Sequence, residues 1–368
     1  MKLSALGYLS CVHCSGVLEL QPDHVALPDD NSEVIAGTLR CRSCQRQFAI
    51  ERAVPRLVDE AVSSTTDIRT GLTFAQAWKT FPRMDERYRR QFFDWVNPVD
   101  PDFLKGKLVL ECGCGKGRHA KIVSECGASA VFAVDIGEAV DVAYDNVGRL
   151  PGVHVVQADI ENLPFNRDFD FAFSVGVLHH MESPIKGFLS MSSKIRGDGS
   201  VCAWVYGLEN NWWIIRIINP VRLAITSKLK PATLKVVSFL VAAPLFALCR
   251  WFVLPWKAAR QKFHQLPPLF YEDYLAYIAR FDFTEVHHIV FDHLAAPVAN
   301  YVARQYFETW FEEAGFRQPI IRWHNRNSWT GFSSHNPEIM SSMRSKLEPD
   351  HSVRSELQRP SNPVQRTG

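Results

Sequence analysis

The sequence has little net charge, because 41 basic and 39 acidic residues leave +2 over 368 residues. This balance gives no overall electrostatic reason to expect a nucleic-acid binder. We also expect no secretion signal, since the N-terminal stretch MKLSALGYLSCVHC has one lysine and only a short apolar run. Nine cysteines in such a chain suit a reducing compartment. We therefore expect a globular protein of the cytoplasm.

The glycine-rich stretch LECGCGKGRH lacks two common nucleotide-binding patterns. Its glycines fall at 113, 115 and 117, whereas the dinucleotide fingerprint G-x-G-x-x-G requires a glycine where Arg118 stands. A Walker phosphate loop needs four residues between its glycines and a following Lys-Ser or Lys-Thr pair, and neither is present. The stretch therefore disfavours NAD and does not fit a phosphate loop.

The same stretch lies inside a β-loop-α-β unit. GKLVLEC is a short buried-strand run, HAKIVSECGA has the pattern of a helix, and VFAVD is a second strand that ends at Asp135. A loop without side chains lets backbone amides at a helix N-terminus approach a ligand carboxylate, while an acid at this place can accept two ribose hydroxyls. Together these features fit S-adenosylmethionine.

A third strand in VHVVQADIENLPF leads to Asp159, and a fourth in FDFAFSVGVLHHMESP opens into a histidine-bearing loop. Over residues 106–207, with an ending at 301–335, the chain resembles the class I S-adenosylmethionine-dependent methyltransferases. The resemblance implies an α/β fold, a Rossmann-like seven-stranded sheet with helices on both faces. It also implies a cofactor site formed by Glu111, Gly113, Gly115, Gly117, Asp135, Asp159 and Ile160.

Two cysteine pairs near the N-terminus predict a metal site. Cys11-Val-His-Cys14 and Cys41-Arg-Ser-Cys44 have the spacing at which two turns present four thiolates to one zinc ion. Zinc would stabilise a segment too small to have a sufficient core. The run LRCRSCQRQFAIERAVPRLV resembles the zinc ribbon of the tRNA-methyltransferase activator family, which implies a docking or scaffolding module. We interpret Cys112 and Cys114 as packing residues.

An insertion before the last predicted helix concentrates the positive charge. Residues 210–271 contain no acid and nine basic residues: Arg216, Arg222, Lys228, Lys230, Lys235, Arg250, Lys257, Arg260 and Lys262. The uncharged run 236–249 has 14 residues, fewer than the roughly 18–20 that span a bilayer. Two interpretations stay open: a helical surface that inserts into an anionic membrane, or a helical cap on the sheet with solvated basic residues.

The sequence thus divides into six parts. These are a zinc ribbon (1–60), a helical linker (61–105), a cofactor-binding core (106–207), a basic apolar insertion or cap (208–300), the last helix with the final strands (301–335) and a tail expected to be disordered (336–368).

Histidines are the natural candidates for a general base in methyl transfer to a hydroxyl. His179 and His180 follow the fourth strand, at the edge where such sheets bind ligands. The segment EVHHIVFDHLAAP, which we interpret as extended, adds His287, His288 and His293, with Asp292 able to orient an imidazole. We predict that these residues supply the wall or base of the acceptor site. Tyr206 and Asn210 could also line the acceptor pocket.

The leading functional prediction is a methyltransferase that O-methylates a small-molecule or lipid-linked acceptor, such as a glycan precursor or a quinone-like molecule, at the inner face of the membrane. RNA methylation is the alternative, because zinc modules precede some RNA methyltransferase domains. The ribbon is not conspicuously basic and the insertion is too apolar for a phosphate-tracking groove, so we do not expect nucleic acid as the partner. A non-catalytic adaptor is the third possibility, opposed by the intact glycine loop and its two acids.

Overall fold

A ribbon of short antiparallel strands begins the fold. The computed structural model describes residues 1–21, 25–27, 30–59, 61 and 63–347. The strands of the ribbon are β1 (Leu18–Leu20), β2 (Val25–Leu27), β3 (Asp30–Cys41), β4 (Gln47–Glu51) and β5 (Val54–Leu57). In β4, Phe48 and Ile50 point to the core and their neighbours to solvent, the alternation of a half-buried strand. The predicted ribbon is therefore a β-module built around the two cysteine pairs.

Strands and helices alternate through the rest of the chain. The strands are β6 (Leu108–Cys112), β7 (Ala130–Asp135), β8 (Val153–Ala158), β9 (Phe169–Val175), β10 (Ile195–Tyr206), β11 (Ile320–His324) and β12 (Ser328–Ser334). The helices up to β10 are α1 (Thr65–Thr80), α2 (Arg87–Trp95), α3 (Pro101–Leu104), α4 (Arg118–Glu125), α5 (Ala139–Ala143) and α6 (Pro184–Ser192). The later helices are α7 (Asn219–Ala224), α8 (Pro231–Leu248), α9 (Leu254–Lys262), α10 (Glu272–Ile278), α11 (Phe283–Ala295), α12 (Arg304–Glu313) and α13 (Pro337–Ser345).

The central sheet has the strand order β8-β7-β6-β9-β10-β12-β11. Strands β6 to β10 are parallel, and β12 is antiparallel to both of its neighbours. The parallel strands read as apolar runs because helices cover both faces of the sheet. The predicted fold class, a seven-stranded Rossmann-like sheet, is confirmed.

The ribbon and the central sheet are continuous. Strand β5 pairs in parallel with β8, with Arg56 opposite Gln157 and Leu57 opposite Ala158. The amide of Ser10 also donates to the carbonyl of Pro164 at 2.9 Å. The ribbon thus extends the same sheet to twelve strands, so that its folding is coupled to the strand that carries Asp159 at its end.

The helices α1 and α2 in the predicted linker cover the carboxyl edge of the sheet. Ser64 caps α1 by accepting from the amides of Thr66 and Asp67. The buried ammonium of Lys116, in the glycine loop, donates to the carbonyls of Phe81 and Arg83 at 3.0 and 2.8 Å. The segment after α1 is therefore tied to the glycine loop.

The insertion folds as α7 to α11. One helical run, Pro231–Lys262, is 32 residues long and apolar enough to cross a membrane by length and composition, and 22% of its most apolar window is buried. The uncharged run 236–249 underestimates the length of this helix, because the helix continues past Arg250 and Pro255. Helix α11 packs against α8. The segment predicted to be extended is thus an α-helix, since its apolar residues recur at helical spacing.

The chain remains ordered past residue 335. Asn336 caps α13 by accepting from two backbone amides, and Met340 and Met343 are buried. The prediction of disorder from residue 336 is therefore wrong for this helix, whose two methionines pack on the core. Residues 348–368 lie outside the described residues.

Candidate active site

A cavity of about 210 Å³ lies at the carboxyl ends of the parallel strands. Its first half is formed by the glycine loop and by the acids that follow β7 and β8. Its second half is formed by side chains that follow β9 and β10 and by α10 and α11. Ligands of open α/β sheets bind at this edge. One cavity can therefore hold a cofactor and an acceptor side by side.

The glycine loop lets a ligand approach the backbone closely. Gly113 and Gly115 have φ angles of 85° and 51°, which favour glycine. A Cβ at Gly115 would stand 2.8 Å from the Trp78 ring, and one at Gly113 would collide with Val177. Gly117 also has a positive φ, but it faces Val147 and does not line the cavity. Two of the three predicted glycines thus lie at the site, while the third permits close packing.

The two predicted acids both line the cavity. Asp135 accepts from the amides of Gly115 and Gly137, each at 2.9 Å, and burial raises its pKa. Asp159 accepts from the amide of Glu161 at 2.9 Å, and the neighbouring Ile160 lines the same wall. Backbone amides therefore hold both carboxylates in fixed positions.

Glu111 lies away from the cavity, beneath the loop. Its Oε1 is 3.1 Å from Nδ1 of His119, and both side chains are buried. Burial raises the pKa of Glu111 well above its usual value and lowers that of His119 well below. The two side chains form a neutral pair. Glu111 was predicted to bind the cofactor, but it does not line the cavity; its buried side chain instead pairs with His119 on α4.

Two further residues of the first half escaped the sequence analysis. Asp67, on α1, accepts from the amide of Glu182 at 2.7 Å, while its buried Oδ2 has no hydrogen-bond partner among the described residues. Arg118 opens α4, with its guanidinium 5.2 to 5.5 Å from the ring centres of Trp78 and Trp95. Asp67 was missed because α1 is distant in sequence, and Arg118 because it was weighed only as a departure from the glycine fingerprint.

Aromatic side chains form the second half of the cavity. They are Trp95, Trp204, Tyr206, Tyr271, Tyr274, Tyr277 and Tyr301. Of these, only Tyr206 was predicted from the sequence. Asn210, predicted with it, instead donates to the carbonyl of Arg326 at 3.0 Å and does not line the cavity. Its neighbour Asn211 does.

Several polar atoms in this half are buried and unpaired within the described part of the chain, among them Nε1 of Trp204, a donor, and Oδ1 of Asp292, an acceptor. Both residues line the cavity. A buried polar atom without a partner is costly in a folded protein. The second half is therefore suited to a flat ligand that both accepts and donates hydrogen bonds.

Helix α11 separates the predicted histidine cluster. His287 faces α8, with its Nε2 at 2.9 Å from Oγ of Ser238, and does not line the cavity. His288 and His293 do line it. His287 therefore lies outside the site predicted for it, because consecutive helical residues lie about 100° apart and cannot share one face.

His288 is held between two carboxylates. Its Nε2 is 3.2 Å from Asp292 and its Nδ1 is 3.8 Å from Glu285. Although burial opposes the charge, Asp292 and Glu285 together raise the pKa of His288. A raised pKa favours the protonated form of the imidazole, which cannot accept a proton, so His288 is less suited to act as the base than a histidine whose pKa is lowered.

Two other histidines at the cavity are neutral. Burial lowers the pKa of His293 to about 4, and its Nε2 is 3.3 Å from Oη of Tyr274. Burial also lowers the pKa of His180 to about 4, and its Nδ1 is 2.6 Å from the carbonyl of Val298. That bond requires the proton on Nδ1, which leaves Nε2 as an acceptor.

His179, which was predicted to be catalytic, is fully buried against Tyr206, with ring centres 3.8 Å apart. Both of its ring nitrogens are unpaired in the described ranges, and it does not line the cavity. Of the two histidines that follow the fourth strand, the structure thus places His180, and not His179, at the cavity. The two histidines share one short turn, so their orientation could not be read from the sequence.

The four N-terminal cysteines come together as the spacing predicted. Their sulfur atoms all lie within 4.8 Å of one another, with Cys11 to Cys44 at 3.6 Å and Cys14 to Cys41 at 3.5 Å. Four thiolates bound to zinc at about 2.3 Å would stand roughly 3.8 Å apart. The observed cluster therefore fits a tetrahedral zinc ion. Cys112 and Cys114 are buried in the core and belong to no such cluster in the described chain.

Comparison with known proteins agrees with the fold. Residues 110–203 match a methyltransferase domain family. The tRNA U34 carboxymethyltransferase of Vibrio cholerae is 35% identical over 102 residues, which are 27% of this chain and 32% of that protein. The enzyme of the same name from Shewanella sp. (strain ANA-3) is 31% identical over 154 residues, covering 36% of this chain and 46% of that protein.

The chain thus spans less than half the length of these curated relatives. Among solved structures, a magnesium protoporphyrin IX methyltransferase from Synechocystis PCC 6803 is 12% identical, with a TM-score of 0.43 over 75% of this chain and 99% of that one.

The names of the curated relatives correct two predictions. We predicted a small-molecule or lipid-linked acceptor and did not expect nucleic acid as a partner, whereas the acceptor in the relatives' name is a tRNA. Both predictions are wrong on this evidence. They were drawn from the low net charge and the apolar insertion, and neither feature reports on the walls of a cavity that forms only in the folded protein.

Proposed function

We propose that this chain, which contains a class I methyltransferase domain, uses S-adenosylmethionine to methylate a nucleotide of RNA. The single cavity that joins the glycine loop to an aromatic wall carries the proposal. The relatives named for a tRNA modification support RNA as the acceptor. Because these relatives match only 27% and 36% of this chain, the rest of the chain is free to select a different RNA from theirs.

The first half of the cavity fits the cofactor. The amides at the start of α4, together with Arg118, would hold the carboxylate of the methionine end. Asp135 would accept from the ribose hydroxyls, and Asp159 with the orphaned oxygen of Asp67 would accept from the adenine edge. S-adenosylmethionine supplies a methyl group on a sulfonium, which an in-line displacement transfers.

The second half fits a nucleobase taken out of its strand. Enzymes that modify a base extrude it into a pocket, where aromatic side chains stack on its faces and polar groups read its edge. The tyrosines and tryptophans around the cavity provide the stacking surface. The unpaired Nε1 of Trp204 and Oδ1 of Asp292 provide one donor and one acceptor for the edge.

His180 is the best placed general base. The bond from its Nδ1 to Val298 fixes the ring and its tautomer, so Nε2 can take the proton from the attacking atom. The acceptor atom gains the methyl group and loses its proton, while the cofactor sulfur keeps the electron pair of the broken bond. His293, also neutral, would orient Tyr274 through the contact at 3.3 Å.

The ribbon would bind one zinc ion through Cys11, Cys14, Cys41 and Cys44. Four thiolates require a reducing environment, which favours the cytoplasm. Because β5 of the ribbon pairs with β8, the zinc ion would stabilise the edge of the sheet near Asp159. Its role is structural, since a site with four protein ligands leaves no open position for a substrate.

Methyl transfer from cofactor labelled in the methyl group tests the proposal. The protein is incubated with the labelled cofactor and total cellular RNA, protein and lipid fractions, and the label in each is counted before and after ribonuclease treatment. We expect ribonuclease-sensitive label, lost in Asp135→Asn and kept in Asp168→Asn, an exposed acid outside the cavity. Label only in lipid or protein would refute the RNA acceptor.

A further inference from the structure

The insertion carries most of the exposed apolar surface of the described chain. Of the twenty large hydrophobic side chains that are exposed there, fourteen lie between Trp212 and Phe270. Trp251 is 75% exposed and Leu240 is 66% exposed. Exposed apolar side chains that are gathered in one region mark a site of interaction, whereas scattered single residues are normal. An unassigned binding surface therefore lies on this insertion.

Helix α8 shows how the surface arises. It is apolar all round, yet its buried residues form one stripe: Leu234, Ser238 and Ala242. The opposite side presents Val236, Leu240 and, in the next turns, Trp251 to solvent. A helix that is apolar on every side is normally enclosed by protein or lipid. Since α11 covers only the first stripe, the second is left for another partner.

The charge of the same segment indicates the chemistry of that partner. Between residues 210 and 271 there is no acidic residue. Six basic side chains are exposed: Arg216, Lys228, Lys230, Lys235, Arg250 and Lys262. Arg222 is buried, and Lys257 and Arg260 pair with Asp273 and Glu272 on α10. The exposed apolar surface is therefore flanked by positive charge with no acid of its own segment to balance it.

We propose that residues 212–270 dock on the surface of an anionic lipid bilayer, with the apolar side chains of α8 in the interface and the basic residues against lipid phosphates. Amphipathic surfaces of this composition bind anionic membranes in this way. An RNA groove would not present aliphatic side chains such as Val236 and Leu240 to a phosphate backbone.

The helix lies on the bilayer and does not cross it. Arg250 is exposed in the middle of the run, and its guanidinium donates to the carbonyl of Ala279 at 3.3 Å. Lys257 and Arg260 hold α9 against α10 by contacts of 2.7 and 2.6 Å. One side of the helix is thus fastened to the protein body.

The proposed docking face of α8 is separated from the cavity by one helix, α11. Helix α11 contacts α8 through His287 and Ser238 and faces the cavity through His288 and His293. Lipid binding at α8 would therefore affect α11, the helix that forms one wall of the acceptor half of the cavity. This docking is independent of the acceptor, so vesicle binding and methyl transfer can succeed or fail separately.

Sedimentation with vesicles tests the docking. We expect the full chain to sediment at low salt with vesicles that contain one third phosphatidylglycerol, and to stay in solution with pure phosphatidylcholine. Raising the salt to 0.5 M should release it, because the attraction is partly electrostatic. Absence of sedimentation at low salt would overturn the proposal, as would retention after carbonate extraction, which would indicate a spanning helix.

Paired variants identify the surface. Lys228→Gln with Lys230→Gln should weaken vesicle binding by roughly 25-fold, since each basic residue contributes about a fivefold factor. Leu240→Ser with Trp251→Ser should weaken it by more than tenfold. Lys121→Gln and Tyr306→Ser, which change exposed residues outside the insertion, are the matched controls. Equal binding by all variants would overturn the assignment. So would displacement of the protein from vesicles by RNA, if that displacement depended on Lys228 and Lys230, because RNA would then be the ligand of these basic residues.

Discussion

Nδ1 of His180 lies 2.6 Å from the backbone carbonyl oxygen of Val298 and donates a hydrogen bond to it. A histidine that follows the fourth parallel strand is thereby locked to the segment that precedes α12. The bond fixes which ring nitrogen is free, and burial lowers the pKa of the ring to about 4. The chain thus holds a neutral imidazole in the wall of its cavity.

Replacing His180 by glutamine should lower the rate of methyl transfer by about 10²- to 10⁴-fold, the usual contribution of a general base. Affinity for S-adenosylmethionine should stay within about twofold, because the glycine loop and Asp135 are untouched. Single-turnover kinetics and calorimetry measure the two quantities. The matched control is His179→Gln, since His179 does not line the cavity. An equal loss of rate in both variants would argue against a base at position 180.

The pH dependence of transfer should show the lowered pKa of His180. The base is neutral above its pKa of about 4 and becomes protonated, and inactive, as the pH falls through that value. Between pH 7.5 and 5.5 the single-turnover rate should therefore stay nearly constant. A histidine with the ordinary pKa of about 6.5 would lose about tenfold over the same interval. Such a loss would contradict the assignment.

Asp135 should determine cofactor affinity. Asparagine offers one acceptor oxygen where the carboxylate offers two, and it carries no charge. Because a hydrogen bond to a charged group contributes about 1.5–3 kcal/mol, Asp135→Asn should weaken S-adenosylmethionine binding by roughly 10- to 100-fold. Glu111→Gln, one strand end away but outside the cavity, should weaken it less. Calorimetric titration of both variants measures their affinities for S-adenosylmethionine. Equal losses of affinity would mean that Asp135 affects binding only by stabilising the fold.

The cluster around His288 should make stability depend on pH. Its folded pKa is raised above the unfolded value, so its contribution is complete below about pH 6.5 and is lost as the pH rises through the folded pKa. His288→Gln should therefore lower the free energy of unfolding by about 1.5–3 kcal/mol at pH 6 and by less at pH 9. Denaturant titrations at the two pH values measure this. A difference that grows with pH would reverse the assigned sign.

One zinc ion per chain should be found by elemental analysis of the purified protein. Cys14→Ser should lose it and unfold at a lower temperature, since a tetrahedral thiolate site contributes directly to folding. Cys249→Ser, a buried cysteine outside the cluster, is the control and should keep the metal. Full zinc content in Cys14→Ser would show that the cluster holds no metal.

The sequence predicted the parts of the site that are local. The glycine loop and Asp135 belong to one β-loop-α-β unit, and each cysteine knuckle is a single turn, so spacing alone indicates their geometry. Asp67 and the tyrosines of α10 come from distant segments that meet only in the folded chain. The orientations of His179 and His180 depend on a single turn, and those of His287 and His288 on the register of α11, which neither composition nor spacing gives.

The most direct test of the account is single-turnover methyl transfer to RNA by the wild-type chain and by Tyr206→Ala, with cofactor affinity measured on the same samples. Stacking on an aromatic side chain contributes about 1–3 kcal/mol per base, so the affinity for RNA should fall by about 5- to 100-fold. We expect ribonuclease-sensitive label with the wild type, a reduced affinity for RNA in Tyr206→Ala, and an unchanged affinity for S-adenosylmethionine in that variant. Absence of label in RNA, or full RNA affinity in the variant, would contradict it.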